Sequence, residues 1–396
     1  MIAPGSPNQT CPPDQWDDPD VSNPLDRLTL DELRSRTSEK WRRYPPDVLP
    51  VFVAEMDADL ARPVTAALRQ AIERGDTGYA FGTDYAEALA GFAAERWGWR
   101  FDIAQARPVA DVITGVVEAV RLISDVGAGV VVNPPVYHPF FPTIEHMERR
   151  VVEAPLGPDG RIDFATLEAA FQEPGNGAYL LCNPQNPTGA VHTRDELTRV
   201  AELAHAYRVR VVADEIHAPL VLAGAAFTPY LDVDPAGLSI MSASKAWNLA
   251  GMKAAILVAG TEALGDLARL PEIASEATSH FGVVSHVAAL RHGGPWLDEV
   301  LAAIDGNRRL LGELLGRELP QIGYRQPEGT YLAWLDCRGL GIDGDPAAFF
   351  LQRGRVALVA GELFGTGGAG HVRLNIGTSP AVIREAVRRM ATALSG

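Results

Sequence analysis

The chain has 396 residues, with 35 Lys plus Arg against 50 Asp plus Glu, a formal charge of −15, and 47% hydrophobic residues. Such a composition builds a large folded core and excludes a disordered chain, and the acidic balance disfavours nucleic acid and anionic membrane surfaces as partners. No apolar run approaches the ~18 residues of a membrane span, and Met1 to Thr10 lacks the basic and apolar regions of a secretory signal, so a soluble cytoplasmic protein is expected.

Residues 1–24 are rich in Pro, Asp, Asn and Ser without an apolar period, and read as a mobile arm. Leu25 to Arg43 reads as a short helix followed by an extended piece, after which Pro45, Pro46 and Pro50 forbid a helix. Residues 25–60 are expected to join a small domain formed mainly by the C-terminal part. Arg62 to Arg74 carries helical signals, with Pro63 in the first turn and Gly75 just past the end. From about residue 110 the pattern becomes α/β. Short β-branched runs begin at Gly129, Ala178, Val209, Leu238 and Ala254, with helical stretches such as Thr193 to Tyr207 between them. Continuous apolar runs alternating with helices predict a mostly parallel sheet covered on both faces, in a large domain over 61–295. A helix over Trp296 to Leu319, strands at Thr330–Leu335 and His371–Ile376, and a last helix from Pro380 to Leu394 predict a smaller α+β domain over 296–396.

The polar motifs fall where several of these runs stop. Thr114-Gly-Val-Val-Glu-Ala119 can open a helix whose N–H groups face a phosphate. Tyr137 follows a strand and can stack on a flat ring. Asn183-Pro-Gln-Asn-Pro-Thr-Gly189 is a rigid turn able to aim an amide. In Asp214-Glu215-Ile216-His217 a strand-terminal carboxylate can hold a ring-nitrogen proton. Ser242-Ala-Ser-Lys245 offers a buried amine between hydroxyls, a nucleophile for a carbonyl, with Lys253 eight residues on. Arg373 can clamp a carboxylate with its bidentate fork. Each also has a plainer structural reading, but their ordered recurrence at successive strand ends does not. Gly365-Thr-Gly-Gly-Ala-Gly370 is a literal GxGxxG, yet it lacks the following helix that a dinucleotide site needs, and reads as a hairpin loop. Cys11, Cys182 and Cys337 are too few and too scattered for a disulfide framework or a metal knuckle, and no metal site is expected.

Together NPxNPTG, the strand-terminal Asp, SxSK and xRLN resemble the fold type I pyridoxal 5'-phosphate (PLP) enzymes related to aspartate aminotransferase. Arg36-Thr-Ser-Glu-Lys-Trp41, Leu49 to Asp57, Gly75-Asp-Thr-Gly-Tyr79, Asp214-Glu-Ile-His217, Ser244 to Gly251 and Glu328 to Asp336 narrow the resemblance to the cystathionine β-lyase-like (MalY/PatB-type) C–S lyases, over residue 25 to the C-terminus. The resemblance implies a β-elimination that cleaves L-cysteine S-conjugates to thiol, pyruvate and ammonia. Lys245 would be joined to PLP and move the Cα proton, Asp214 would hold the ring-nitrogen proton, and Tyr137 would stack on the ring. Asn186 and His217 would lie beside the phenolic oxygen. The N–H groups of Val116 and Val117, with Ser242, Ser244 and Lys253, would hold the phosphate. Arg373 would bind the α-carboxylate, with Asn186 nearby, and Tyr79 would reach cofactor or substrate from a neighbouring subunit, implying a homodimer with shared sites. Phe52, Glu55 and Ala58 depart from the usual entrance motif and suggest a wider pocket, and His138 follows the stacking tyrosine where another residue type is common. Transamination, decarboxylative or oxidative deamination of an S-conjugate, and a regulatory binding role remain alternatives on the same scaffold.

Overall fold

A computed structural model describes residues 23–395. All but the last two positions of the arm expected over 1–24 lie outside the described residues. The stretch expected to hold one short helix holds two, Leu30–Arg34 and Glu39–Arg42. Thr29 and Glu32 cap the first reciprocally, and the Ser35 hydroxyl bonds back to the Glu32 carbonyl at 2.6 Å, which ends the first helix before the second begins.

Strand β1 (Leu49–Pro50) precedes a central sheet of β2 (Ala106–Val109), β3 (Gly129–Val132), β4 (Arg150–Glu153), β5 (Asn176–Cys182), β6 (Arg210–Asp214), β7 (Leu238–Met241) and β8 (Ala255–Ala259). Their order is β2-β8-β7-β6-β5-β3-β4. Strands β3 to β7 run parallel, while β8 is antiparallel to β2 and β7. The five apolar runs of the sequence are β3, β5, β6, β7 and β8. Their side chains alternate between two cores, as strand geometry requires. Val130, Leu180, Val212 and Ile240 pack on one face with the Val112–Ile123 helix. Val131, Leu181, Val211 and Ala213 pack on the other with the Phe164–Gln172 and Arg194–Tyr207 helices. Each fully buried valine, leucine or isoleucine among them stabilises the fold by about 2 kcal/mol.

After the Gly294–Glu318 helix come β9 (Gly323–Tyr324), β10 (Leu332–Asp336), β11 (Val356–Ala357), β12 (Val359–Ala360) and β13 (His371–Asn375), then the Pro380–Ser395 helix. The smaller sheet has the order β12-β13-β10-β9 and is antiparallel, and β11 pairs instead with β1. Gly365–Gly370 lies in the connection from β12 to β13 and is followed by a strand, so no helix N-terminus awaits a pyrophosphate there. A third core joins the Asp84–Trp97 helix through Trp296, Leu297 and Leu311 to Val387 and Met390 of the last helix. Among the described residues no helix is long and apolar enough to cross a membrane.

This topology positions the site. The carboxyl ends of β3, β5, β6 and β7 open on one edge, and the segments carrying Tyr137, Asn186, His217 and Lys245 leave from those ends. Gly189 closes the β5 turn at φ +73°, where a Cβ would meet the Pro327 Cβ at 2.3 Å. Its carbonyl accepts the N–H groups of Glu328 and Gly329, both at 2.9 Å, and so draws the approach to β10 onto the strand ends.

Candidate active site

A cavity of about 590 Å³ lies over those strand ends, lined among others by Tyr137, Asn186, Asp214, His217, Lys245 and Arg373. Its other walls come from the helical residues Ala347 and Ala348 and from an irregular strap at Phe52–Ala54. The strap is held through its carbonyl groups. Phe52 O accepts from Arg373 at 3.1 Å, Val53 O from Asn375 Nδ2 at 2.7 Å, and Ala54 O from Lys245 Nζ and the Tyr331 hydroxyl, both at 3.0 Å. Beyond the cavity, Glu55 O accepts from Asn375 Nδ2 at 2.7 Å and from Lys40 Nζ at 3.2 Å. Without regular pairing, side-chain donors satisfy these buried carbonyls.

Lys245 reaches the cavity from the loop after β7. Burial, then the positive charge of Arg373, pushes its pKa down from 10.5 to about 8. Asp214, the last residue of β6, accepts the Ile216 N–H at 3.1 Å, and burial pushes its pKa up to about 7. His217 is buried with Nδ1 unpartnered, its ring edge-on to Tyr331, and its pKa falls to about 3 through burial and the nearby Lys245 and Arg373. Arg373 is buried in β13, and it donates to Asn186 Oδ1 at 3.0 Å while Nε has no partner. Its guanidinium bonds to the Asn186 amide oxygen and the Phe52 carbonyl and, among the described residues, to no carboxylate. A buried cation in that state calls for an anion.

The amide donors differ from those expected. Asp111 caps the Val112–Ile123 helix by accepting the Thr114 N–H at 2.8 Å. Val116 and Val117 are therefore in the second turn, where an N–H bonds to the carbonyl four residues back, and they have none to offer a phosphate. The donors left without an intrahelical partner belong to Val112 and Ile113, which line the cavity. The Asp111 cap was the sequence signal that fixes this register. Lys253 pairs with the other Asp111 oxygen at 2.8 Å, beside that helix end. Ser242 turns its hydroxyl to the Ala254 carbonyl at 2.8 Å and accepts the Ser244 N–H at 3.1 Å, so it shapes the lysine loop from behind. Tyr79 does not line the cavity of its own chain and is 93% exposed. Of the entrance departures, Phe52 lines the cavity, but Ala58 packs in the third core and widens nothing. Ala54, Tyr331 and Asn375 lie within the stretches Leu49 to Asp57, Glu328 to Asp336 and xRLN that carry the resemblance, but no role in the site was expected of them.

Three features match PLP: a free helix end beside a lysine for a phosphate, an amine of lowered pKa for an aldehyde, and a buried carboxylate of raised pKa for a ring N–H. His217 Nδ1 and Arg373 Nε are two further buried polar atoms without a partner, on residues that line the same cavity.

Comparison with known proteins agrees. The family model for aminotransferase class I and II matches residues 65–390. A Mycobacterium tuberculosis (strain ATCC 25618 / H37Rv) protein, provisionally named a cystathionine beta-lyase, is 53% identical over 402 residues, covering 94% of this chain and 99% of the relative. Cystathionine beta-lyase PatB of Bacillus subtilis (strain 168) is 35% identical, covering 88% of this chain and 93% of the relative. The crystal structure of cystalysin from Treponema denticola, which contains pyridoxal 5'-phosphate, superimposes with a TM-score of 0.87 at 26% identity, over 95% of this chain and 99% of that one.

Proposed function

The chain belongs to the aminotransferase class I and II family, among its cystathionine β-lyases, and from that membership we propose that it is a PLP-dependent C–S lyase that cleaves L-cysteine S-conjugates to thiol, pyruvate and ammonia. The observation that carries the reading is the sharing of one cavity by an amine of lowered pKa, Lys245, a buried carboxylate, Asp214, and a buried guanidinium without an anion, Arg373. PLP, when bound, supplies an aldehyde for amines and an electron-withdrawing ring.

The protein's own groups do the rest. Asp214 would hold the ring-nitrogen proton and Tyr137 would stack against the ring. The N–H groups of Val112 and Ile113 would hold the phosphate, with Lys253 beside them. Arg373 binds the α-carboxylate, kept in place by Asn186 and the Phe52 carbonyl. Lys245, with a pKa near the working pH, takes the Cα proton. The Cβ–S bond then breaks with its electron pair on sulfur, and water hydrolyses the three-carbon remainder to pyruvate and ammonia. Tyr79 completes the site of a second subunit in a homodimer, a reading supported by Tyr79 and Phe81 standing 93% and 98% exposed on one loop. The buried free thiols Cys182 and Cys337 support a reducing, cytoplasmic setting.

The test is pyruvate release from L-cystathionine and S-alkyl-L-cysteines by PLP-loaded wild type and Lys245→Ala. The wild type releases pyruvate and the variant does not. Equal release by both would overturn the assignment of Lys245.

A further inference from the structure

His138 lines the cavity, yet the mechanism above gives it no task. Its ring meets Phe364 edge-on, with centroids 5.4 Å apart, and lies tilted against Tyr137 at 5.7 Å. The Arg373 guanidinium rests over the same Phe364 ring at 5.2 Å. Histidine and arginine therefore share one aromatic support. The Val136 N–H bonds to the Phe364 carbonyl at 3.0 Å and ties the loop carrying His138 to the segment before β13.

The ring nitrogens differ. Nδ1 is buried with no partner, which leaves Nε2 as the nitrogen on the open side of this half-buried ring. Burial, then the charge of Arg373, pushes the pKa down to about 4, so the imidazole is neutral at pH 7 and carries one N–H. An N–H on Nδ1 would be a donor stranded in a dry site, whereas on Nε2 it can find an acceptor in the cavity. Arg373 is the binding group for the α-carboxylate, and the sulfur of a cysteine conjugate is joined through Cβ to the same Cα. That sulfur is the atom that gains charge as the bond breaks.

We propose that His138 is a specificity-determining residue for the leaving group, its Nε2–H donating a hydrogen bond to the conjugate's sulfur as the Cβ–S bond breaks. The proposal rests on the β-elimination reading. Lys245 takes the Cα proton, the electron pair left behind forms the Cα–Cβ double bond, and the Cβ–S pair departs on sulfur. His138 keeps its proton throughout, and the thiolate is later protonated by water. Hydrogen bonds to ionised acceptors are the stronger kind. The bond therefore helps most where most charge gathers on sulfur, on alkyl thiolates more than on aryl thiolates.

The experiment measures kcat/KM for pyruvate release across a series of S-alkyl and S-aryl L-cysteines, with PLP-loaded wild type, His138→Phe and His138→Asn. His138→Phe should lose about tenfold or more on S-alkyl substrates and change little on S-aryl ones. His138→Asn, which keeps a donor, should recover part of the alkyl rate. A uniform loss across the series, or an asparagine variant no better than phenylalanine, overturns the proposal while leaving the lyase reading intact. A wild type that releases pyruvate from no conjugate overturns the lyase reading and this proposal with it.

Discussion

A surface lysine stays protonated to pH 10.5 and would be nearly inert toward an aldehyde at neutral pH. Burial and Arg373 bring Lys245 to about 8, so the rate at which cofactor-free protein takes up PLP should rise through about pH 8 and level off above it. Stopped-flow absorbance reads this, and a rise centred near pH 10.5 would contradict the burial argument. Asp214 is shifted the opposite way. Its folded pKa of about 7 exceeds the ordinary 3.8, so its contribution to stability is complete below about pH 4 and is lost as pH rises to about 7. Glu215, raised to about 7 by the same burial, acts in the same window. Asp214→Asn does not titrate. In cofactor-free form it should gain stability on wild type between about pH 4 and 7 and keep a constant lead above that, as urea unfolding can measure. A lead that shrinks with rising pH would contradict the sign. The candidate residues Lys245, Asp214, Asn186 and Arg373 were legible because each stands at a strand end or in a strand beside a recognisable motif. Val116 and Val117 were misread because the Asp111 cap, not the glycine after it, sets where the helix begins. The Ala54 carbonyl was invisible, since a backbone acceptor has no residue code.

Strands were easier to read than helices, for a physical reason. β3, β5, β6, β7 and β8 are buried on both faces, and their apolar runs are unbroken. The His280–His292 helix escaped notice because its buried face mixes Gly282, Ser285 and His286 with Ala288, Ala289 and Leu290 and so shows no continuous apolar stripe, with His286 Nδ1 against the Tyr85 hydroxyl at 2.7 Å. The strap 52–57 has no period at all. It is anchored at its far end by Lys40 and Asp57, 2.8 Å apart and each 1% exposed. Removing one member leaves the other charge buried without its counter-charge. Asp57→Ala or Lys40→Met alone should cost about 3–5 kcal/mol, and the double variant less than the sum of the two. A double-mutant cycle in urea reads this, and strict additivity would show that the pair does not couple. Because the strap carries the carbonyls that hold Lys245 and Arg373, both single variants should also lower activity.

For the whole molecule, the acidic charge of −15 describes the outside, while Lys245, Lys253 and Arg373 form a small cationic set around the cavity. The mostly parallel sheet and two strands of the smaller sheet, β10 and β13, followed from patterning alone; β9, β12 and the pairing of β1 with β11 did not, because strands of two residues carry too little pattern. Subunit sharing of the site is testable by complementation. Tyr79→Ala and Lys245→Ala should each be nearly inactive, and mixed dimers of the two should regain activity, since one site then has both residues. No recovery in verified mixed dimers would contradict the placing of Tyr79 in a partner's site. The central claim, cleavage of the carbon–sulfur bond rather than transfer of the amino group, is tested most directly by stoichiometry. PLP-loaded protein is given an S-alkyl-L-cysteine with and without a keto-acid acceptor, and free thiol, pyruvate and ammonia are counted. The account predicts equal amounts of all three without any acceptor; a sulfur-containing keto acid formed only when an acceptor is present would contradict it.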